Sequence, residues 1–161
     1  MKPTLRLHLP LVAVLALVFS IAGPAAAGDE VPFSGRLAGT VAITPVNHPV
    51  VSVLIEATGT ASHLGRYTLE VPHLVNQATR TGSGTYVFTA ANGDTLTATF
   101  TGVATVVAPG VLSTVETATI TGGTGRFDGA TGSFTAERTF YTATGETTGS
   151  FQGTISSPGQ G

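Results

Sequence analysis

From residue 31 onwards the sequence consists of short segments in which apolar and polar residues alternate, separated by glycine, proline and asparagine. The segments recur at intervals of about ten residues, which is typical of the strands of a β-sandwich or β-barrel. Threonine and valine are abundant in them, and their branched side chains fit a pleated sheet. No segment of useful length repeats its apolar residues at the helical period. The pattern therefore predicts an all-β fold.

Eight consecutive strands are predicted, with turn residues between them. They span residues 31–43, 50–60, 64–74, two strands within 84–102, 111–121, 133–143 and 149–156. The two strands within 84–102 form the clearest hairpin, because Asn92-Gly93 between them tolerates the positive φ of a tight turn. Links this short join antiparallel neighbours.

Eight antiparallel up-and-down strands can close into a β-barrel, which leaves no exposed sheet edge. Glycines inside the predicted strands, at 35, 39 and 153, suit the coiling and bulges of a small closed barrel. The barrel is therefore the favoured architecture, and a two-sheet β-sandwich is the alternative.

The first 27 residues have the layout of a secretory signal peptide. Lys2 and Arg6 precede the apolar run Leu11–Ala22, and Ala25-Ala26-Ala27 supplies small residues for cleavage after Ala27. The run is shorter than the roughly 20 residues that span a bilayer, although an uncleaved anchor is the alternative. We predict one barrel domain over 28–161, secreted or otherwise outside the cytoplasm, without a membrane span after cleavage and with a frayed tail at 157–161.

The charge and cysteine content exclude several classes of function. Residues 28–161 carry five arginines, no lysine and nine acidic residues, for a net charge of −4. Nucleic-acid binding needs a basic patch, so no nucleic-acid partner is expected. The chain has no cysteine, which excludes disulfides, thiol catalysis and zinc–thiolate sites.

The stretch TITGGTGRFDGATGSF, residues 119–134, has the clustered glycines of a phosphate-binding turn. Such a turn needs a helix whose N-terminus meets the phosphate. Two more glycines and an alternating strand follow here, so no helix is expected to begin. We instead predict a structural loop in which Phe127 closes one mouth of the barrel. Its glycines, which allow positive φ or close backbone approach, are Gly122, Gly123, Gly125, Gly129 and Gly132.

This stretch resembles the signature of the allene oxide cyclase and dirigent barrel superfamily, in which a strand runs into GGTG-x-F and a short A-x-G precedes the next strand. HLGRYTL at 63–69 and TAANGDTLTATFTG at 89–102 are similar to blocks in small exported bacterial members of that group. The resemblance implies an eight-stranded antiparallel barrel, often trimeric. In plants such barrels cyclise an unstable fatty-acid epoxide or guide phenoxy-radical coupling. The matched positions are loop and hairpin positions, so the resemblance implies no catalytic residue.

Two charged residues lie among apolar ones. Arg138 shares its strand phase with Phe134 and Phe140, and Glu56 lies within VVSVLIEATG. A charge inside a barrel is costly unless it is paired. Arg138 and Glu56 are therefore candidate ligand-binding groups in the lumen, with Tyr67 and Tyr86 as candidate hydroxyls. The alternatives are an outward-facing arginine or a structural ion pair of Arg138 with an acidic residue, for which the candidates are Glu56, Glu70 and Glu137.

The sequence predicts no metal site and no cofactor. His48, His63 and His73 lie in or beside predicted turns, and no two of them have the spacing of metal ligands. We predict that all three are surface histidines.

Three functions remain open. The favoured one is a non-catalytic barrel that binds a small apolar ligand. The second is an isomerase or cyclase, whose chemistry needs positioning and exclusion of water more than a nucleophile. The third is a structural or adhesive protein with a filled barrel. The strand at 50–60 is apolar on both faces, which favours a homo-oligomer.

Overall fold

The computed structural model describes residues 29–156. The signal-peptide prediction (1–27) and the predicted tail (157–161) lie outside these residues. Within residues 29–156 the chain forms eight strands and one short 3-10 helix, which lies between the sixth and seventh strands. The strands are β1 (Glu30–Asn47), β2 (Val50–Ala61), β3 (Gly65–Asn76), β4 (Thr81–Ala90), β5 (Thr95–Ala108), β6 (Val111–Gly123), β7 (Gly132–Tyr141) and β8 (Glu146–Ser156). In the described part of the chain, no helix is long and apolar enough to cross a membrane.

The strands form one closed antiparallel barrel in sequence order. Closure depends on the pairing of the first strand with the last, which runs from Glu30 opposite Ser156 to Thr40 opposite Glu146. This pairing confirms the predicted barrel and excludes the sandwich, because a sandwich would leave β1 and β8 as separate edges.

Alternate residues of every strand point into the lumen, as the apolar–polar alternation predicts. One half of the lumen is filled by aromatic rings whose centroids lie 5.0–6.4 Å from their neighbours, such as Phe33–Phe151 at 5.0 Å and Tyr86–Phe88 at 5.7 Å. The fully or almost fully buried aromatic residues are Phe33, Tyr67, Tyr86, Phe88, Phe100, Phe127, Phe134 and Phe151. These rings form the aromatic part of the apolar core, which also contains buried aliphatic residues such as Ile55 and Leu69.

Large inward side chains lie over glycines on the neighbouring strand. A methyl group added to Gly35 would lie 2.5 Å from the ring of Phe151, and one at Gly153 would collide with the carbonyl oxygen of Ser133 and the Cα of Phe134. The pairs are in register, since Gly35 is opposite Phe151 and Gly153 is opposite Phe134. Gly35 therefore provides space for a ring, whereas Gly39 and Gly153 permit close approach of the neighbouring strand.

The barrel has two different ends. The plugged end carries the β2–β3, β4–β5 and β6–β7 connections, and the open end carries the other four hairpin turns. Phe127, the predicted anchor of this mouth, is fully buried at the plugged end. One turn of 3-10 helix, Gly125–Phe127, is present where no helix was expected.

The glycine-rich loop has the geometry that its composition predicts. Gly122, Gly125, Gly129 and Gly132 have positive φ. A Cβ at Gly123 would collide with the carbonyl oxygen of Thr95, so this glycine permits close approach of the backbone instead.

Candidate functional site

The open half of the barrel contains a cavity of about 270 Å³, which we call the lumen pocket. Its wall is mainly aliphatic, with Val51, Val53 and Ile55 from β2 facing Leu112 and Phe140 from β6 and β7. It reaches Gln77 and Arg80 in the β3–β4 turn. Concave apolar spaces with a few polar groups are the usual form of a small-molecule site.

A buried polar cluster of Tyr86, Glu116, Arg138 and Thr147 lies beside this pocket, and Glu116 and Arg138 line it. Arg138 binds the carboxylate of Glu116 through two nitrogens: Nε donates to Oε2 at 3.1 Å, and Nη2 donates to Oε1. The hydroxyl of Tyr86 also donates to Oε2. Nη1 of Arg138 donates to Oγ1 of Thr147 at 3.4 Å, and that hydroxyl donates to the carbonyl of Thr139 at 3.0 Å. Glu116 is 2% exposed and Arg138 5%.

The cluster holds Arg138 as a cation and Tyr86 as a neutral phenol. Burial alone would lower the pKa of Arg138, but hydrogen bonding and charge attraction from Glu116 raise it above its usual value. The pKa of Tyr86 is raised well above its usual value by burial and by the charge of Glu116. The arginine and the carboxylate thus form a compensated pair within an apolar barrel.

His73 is a further polar residue that lines the lumen pocket. Its Nδ1 lies 2.9 Å from the carbonyl oxygen of Val71, and its ring packs edge-on against Phe100 at 5.5 Å. A carbonyl only accepts hydrogen bonds, so Nδ1 carries the proton and Nε2 is left as an acceptor in the neutral ring. Burial lowers the pKa of His73, which favours this neutral form.

The four predicted lumen residues lie in different places. Arg138 and Tyr86 come together in the polar cluster. Tyr67 is buried in the lumen but in the aromatic half, where its hydroxyl donates to the carbonyl of Arg36 at 2.9 Å. Glu56 is exposed on the outer face, so its placement in the lumen was wrong. It follows Ile55, whose side chain points inward, and successive strand residues point to opposite faces.

Other expectations about charged residues are also corrected. The partner of Arg138 is Glu116, whereas Glu56, Glu70 and Glu137 are exposed. His73 lies within β3 and lines the lumen, so its prediction as a surface turn residue was wrong. His48 and His63 are exposed turn residues, as predicted.

The sequence analysis did not identify Glu116 and His73 as lumen residues, although the strand-phase argument that identified Arg138 also applies to them. Glu116 shares its phase with the buried Ala118 and Ile120, and His73 shares its phase with Leu69 and Val71. A signal for both was therefore present in the alternation of their strands.

The architecture is a closed eight-stranded antiparallel barrel, and its fold is dirigent-like, as the resemblance seen in the sequence implies. Among solved structures it is similar to the pterocarpan synthase dirigent protein GePTS1, with a TM-score of 0.54 and 15% sequence identity over 82% of this chain and 87% of that chain. At this level of identity the likeness concerns the fold alone. No protein-family model and no curated protein matches the sequence.

Proposed function

We propose that this protein is an exported barrel that binds a small apolar molecule in the lumen pocket. The carrying observation is the contrast between the two halves of the lumen: one half is packed with aromatic rings, and the other holds a cavity of about 270 Å³. A purely structural barrel would gain stability by filling this space, since apolar burial and close packing stabilise a core.

Native mass spectrometry of the protein purified from its source tests the proposal. We expect a retained small molecule and a matching increase in mass. Ala104 is part of the pocket wall. In the Ala104→Phe variant the added ring should occupy part of the cavity, so the retained molecule should be lost. The Thr105→Phe variant is the matched control, because Thr105 is the exposed neighbour on the outer face. Equal ligand retention by both variants would contradict binding in the lumen.

An isomerase or cyclase is the second candidate, supported by the presence of His73 and Arg138 in one pocket. A neutral imidazole can accept a proton, and an arginine N–H can stabilise a developing oxyanion. GePTS1 is named a pterocarpan synthase, which is compatible with catalysis in a barrel of this fold.

Incubation of the retained molecule with the protein tests this candidate. An enzyme would convert the molecule into a product with a different chromatographic retention, and the His73→Gln variant would bind it without conversion. Unchanged ligand with the wild-type protein would favour simple binding.

Export and assembly are also part of the proposal. The basic start, apolar run and Ala-Ala-Ala of the first 27 residues support export. The exposed apolar residues Leu54, Leu74, Val103 and Val115, on strands β2, β3, β5 and β6, support a homo-oligomer, with a trimer as the state implied by the sequence resemblance.

Two measurements check these points. N-terminal sequencing of the exported protein should begin at Gly28. Sedimentation velocity should give a species larger than the monomer, and Leu74→Glu should shift it to the monomer.

A further inference from the structure

The lumen pocket has two charged lining groups in its interior, and they neutralise each other. The Glu116 carboxylate accepts three hydrogen bonds, two from Arg138 and one from Tyr86. Arg80, the remaining charged residue of the lining, is exposed in the β3–β4 turn. The interior of the pocket therefore has no net charge with which to compensate that of a ligand.

Arg138 nevertheless keeps hydrogen-bonding capacity. A guanidinium has five N–H donors, and within the described residues three of them bind Glu116 and Thr147. Two N–H groups remain for an acceptor on a ligand. His73 adds a ring nitrogen that accepts a hydrogen bond when the ring is neutral. These groups match an uncharged oxygen function on an otherwise apolar molecule.

We propose that the lumen pocket selects an uncharged ligand that carries a hydroxyl or carbonyl oxygen, and that it discriminates against a carboxylate on the same apolar frame. This specificity rests on the proposed ligand-binding function. In the interior of the pocket, a carboxylate would bring a second negative charge beside Glu116 and would lose its hydration without gaining an unpaired cation, because Arg80 lies in the exposed turn.

The cavity volume sets the size of the probes. A dry apolar cavity of about 150 Å³ takes a benzene molecule, and this pocket is almost twice as large at about 270 Å³. Two fused aromatic rings therefore fit. We choose three probes on one frame: 2-methylnaphthalene, naphthalene-2-methanol and 2-naphthoate, which end in a methyl group, a hydroxyl and a carboxylate.

Fluorescence titration of the purified protein at pH 7.5 measures their binding directly. The chain has no tryptophan, so the naphthalene emission is observed without indole background. One added hydrogen bond should make naphthalene-2-methanol bind about threefold to tenfold more tightly than 2-methylnaphthalene. We expect 2-naphthoate to bind at least about tenfold more weakly than the alcohol, because its charge is not compensated.

The Glu116→Gln variant sharpens the test. It keeps the shape of the side chain and an acceptor for Tyr86, but it leaves Arg138 as an unpaired cation. The order of binding affinities should then reverse, with 2-naphthoate bound more tightly than naphthalene-2-methanol. Glu137→Gln makes the same change of charge at an exposed position of β7, and it should retain the wild-type order.

The outcomes separate the two proposals. Equal or tighter binding of 2-naphthoate by the wild-type protein would overturn the specificity and leave ligand binding intact. An alcohol that binds no better than 2-methylnaphthalene would do the same. If neither uncharged probe binds, both the proposed function and the specificity fall. These results come from the wild-type protein alone and stand even if Glu116→Gln does not fold.

Discussion

The Arg138→Met variant would remove the cation of the buried pair and keep a side chain of similar length. Glu116, at 2% exposure, would then be an unpaired carboxylate in the lumen. Removing one partner of a buried ion pair costs about 3–5 kcal/mol of folding stability. The carboxylate can instead take up a proton, which at pH 7 costs an ordinary glutamate about 3.7 kcal/mol. We therefore expect the variant to lose about 3–4 kcal/mol at pH 7.

This uptake of a proton makes the loss of folding stability depend on pH. At pH 5 protonation of an ordinary glutamate costs only about 1 kcal/mol. The folded variant binds a proton that the unfolded chain releases at neutral pH, so its stability falls as the pH rises. The difference in stability between variant and wild type should accordingly shrink from about 3–4 kcal/mol at pH 7 to about 1–2 kcal/mol at pH 5.

Urea unfolding followed by far-ultraviolet circular dichroism measures the loss of stability at pH 7 and at pH 5. Arg36→Met is the matched control, because Arg36 is exposed on the outer face, and it should change stability by less than about 0.5 kcal/mol. The double variant Glu116→Gln/Arg138→Met removes both charges and should recover most of the loss. A loss below about 1 kcal/mol at pH 7, or an equal loss at both pH values, would refute the view that the pair is buried and mutually compensated.

Three further predictions concern other parts of the barrel. Phe127→Ala should cost about 3–5 kcal/mol in urea unfolding, because the ring is fully buried at the plugged end. Wild-type stability should fall as the pH drops below about 6.5, the usual pKa of histidine. The reason is that burial lowers the pKa of His73, so the unfolded chain takes up its proton at a higher pH than the folded protein. His73→Phe should reduce this dependence of stability on pH. Gly102→Val should cost about 1–3 kcal/mol, since a Cβ there lies 2.5 Å from Cγ of Glu116.

Controls on exposed neighbours make these predictions specific. Asp128→Ala and Thr101→Val change residues on the surface beside Phe127 and Gly102, and each should stay within about 0.5 kcal/mol of wild type. For His73, the charges of Glu116 and Arg138 act on its pKa in opposite directions, so burial decides the sign. A wild-type slope that is unchanged in His73→Phe would show that other groups cause it.

Much of the fold could be predicted because its signals are local. Alternation identified all eight strands, and Asn92-Gly93 identified the turn between β4 and β5. The absence of a following α-helix distinguished the glycine-rich stretch from a phosphate-binding turn, and its single large apolar residue, Phe127, was expected to be buried and is. Each of these inferences needs only the preferences of neighbouring residues.

The site was less predictable, because its composition depends on contacts between strands. Arg138 was found from its phase, but its partner was sought among Glu56, Glu70 and Glu137. Glu116 lies opposite Ala136 on β7, two residues along the strand from Arg138, and so makes a diagonal contact across the β6–β7 pair. This distance depends on register, and a shift by one residue would place the two charges on opposite faces.

The sequence by itself determined the strands, their order, the antiparallel hairpins and the aromatic content of the core, because these depend on side-chain alternation and turn chemistry. Only the tertiary structure decided that β1 pairs with β8, that Gly102 and Gly149 lie across from Glu116 and Arg138, and that half of the lumen stays open. The reason is that closure fixes all eight registers together, and the space left inside depends on which residues those registers bring face to face.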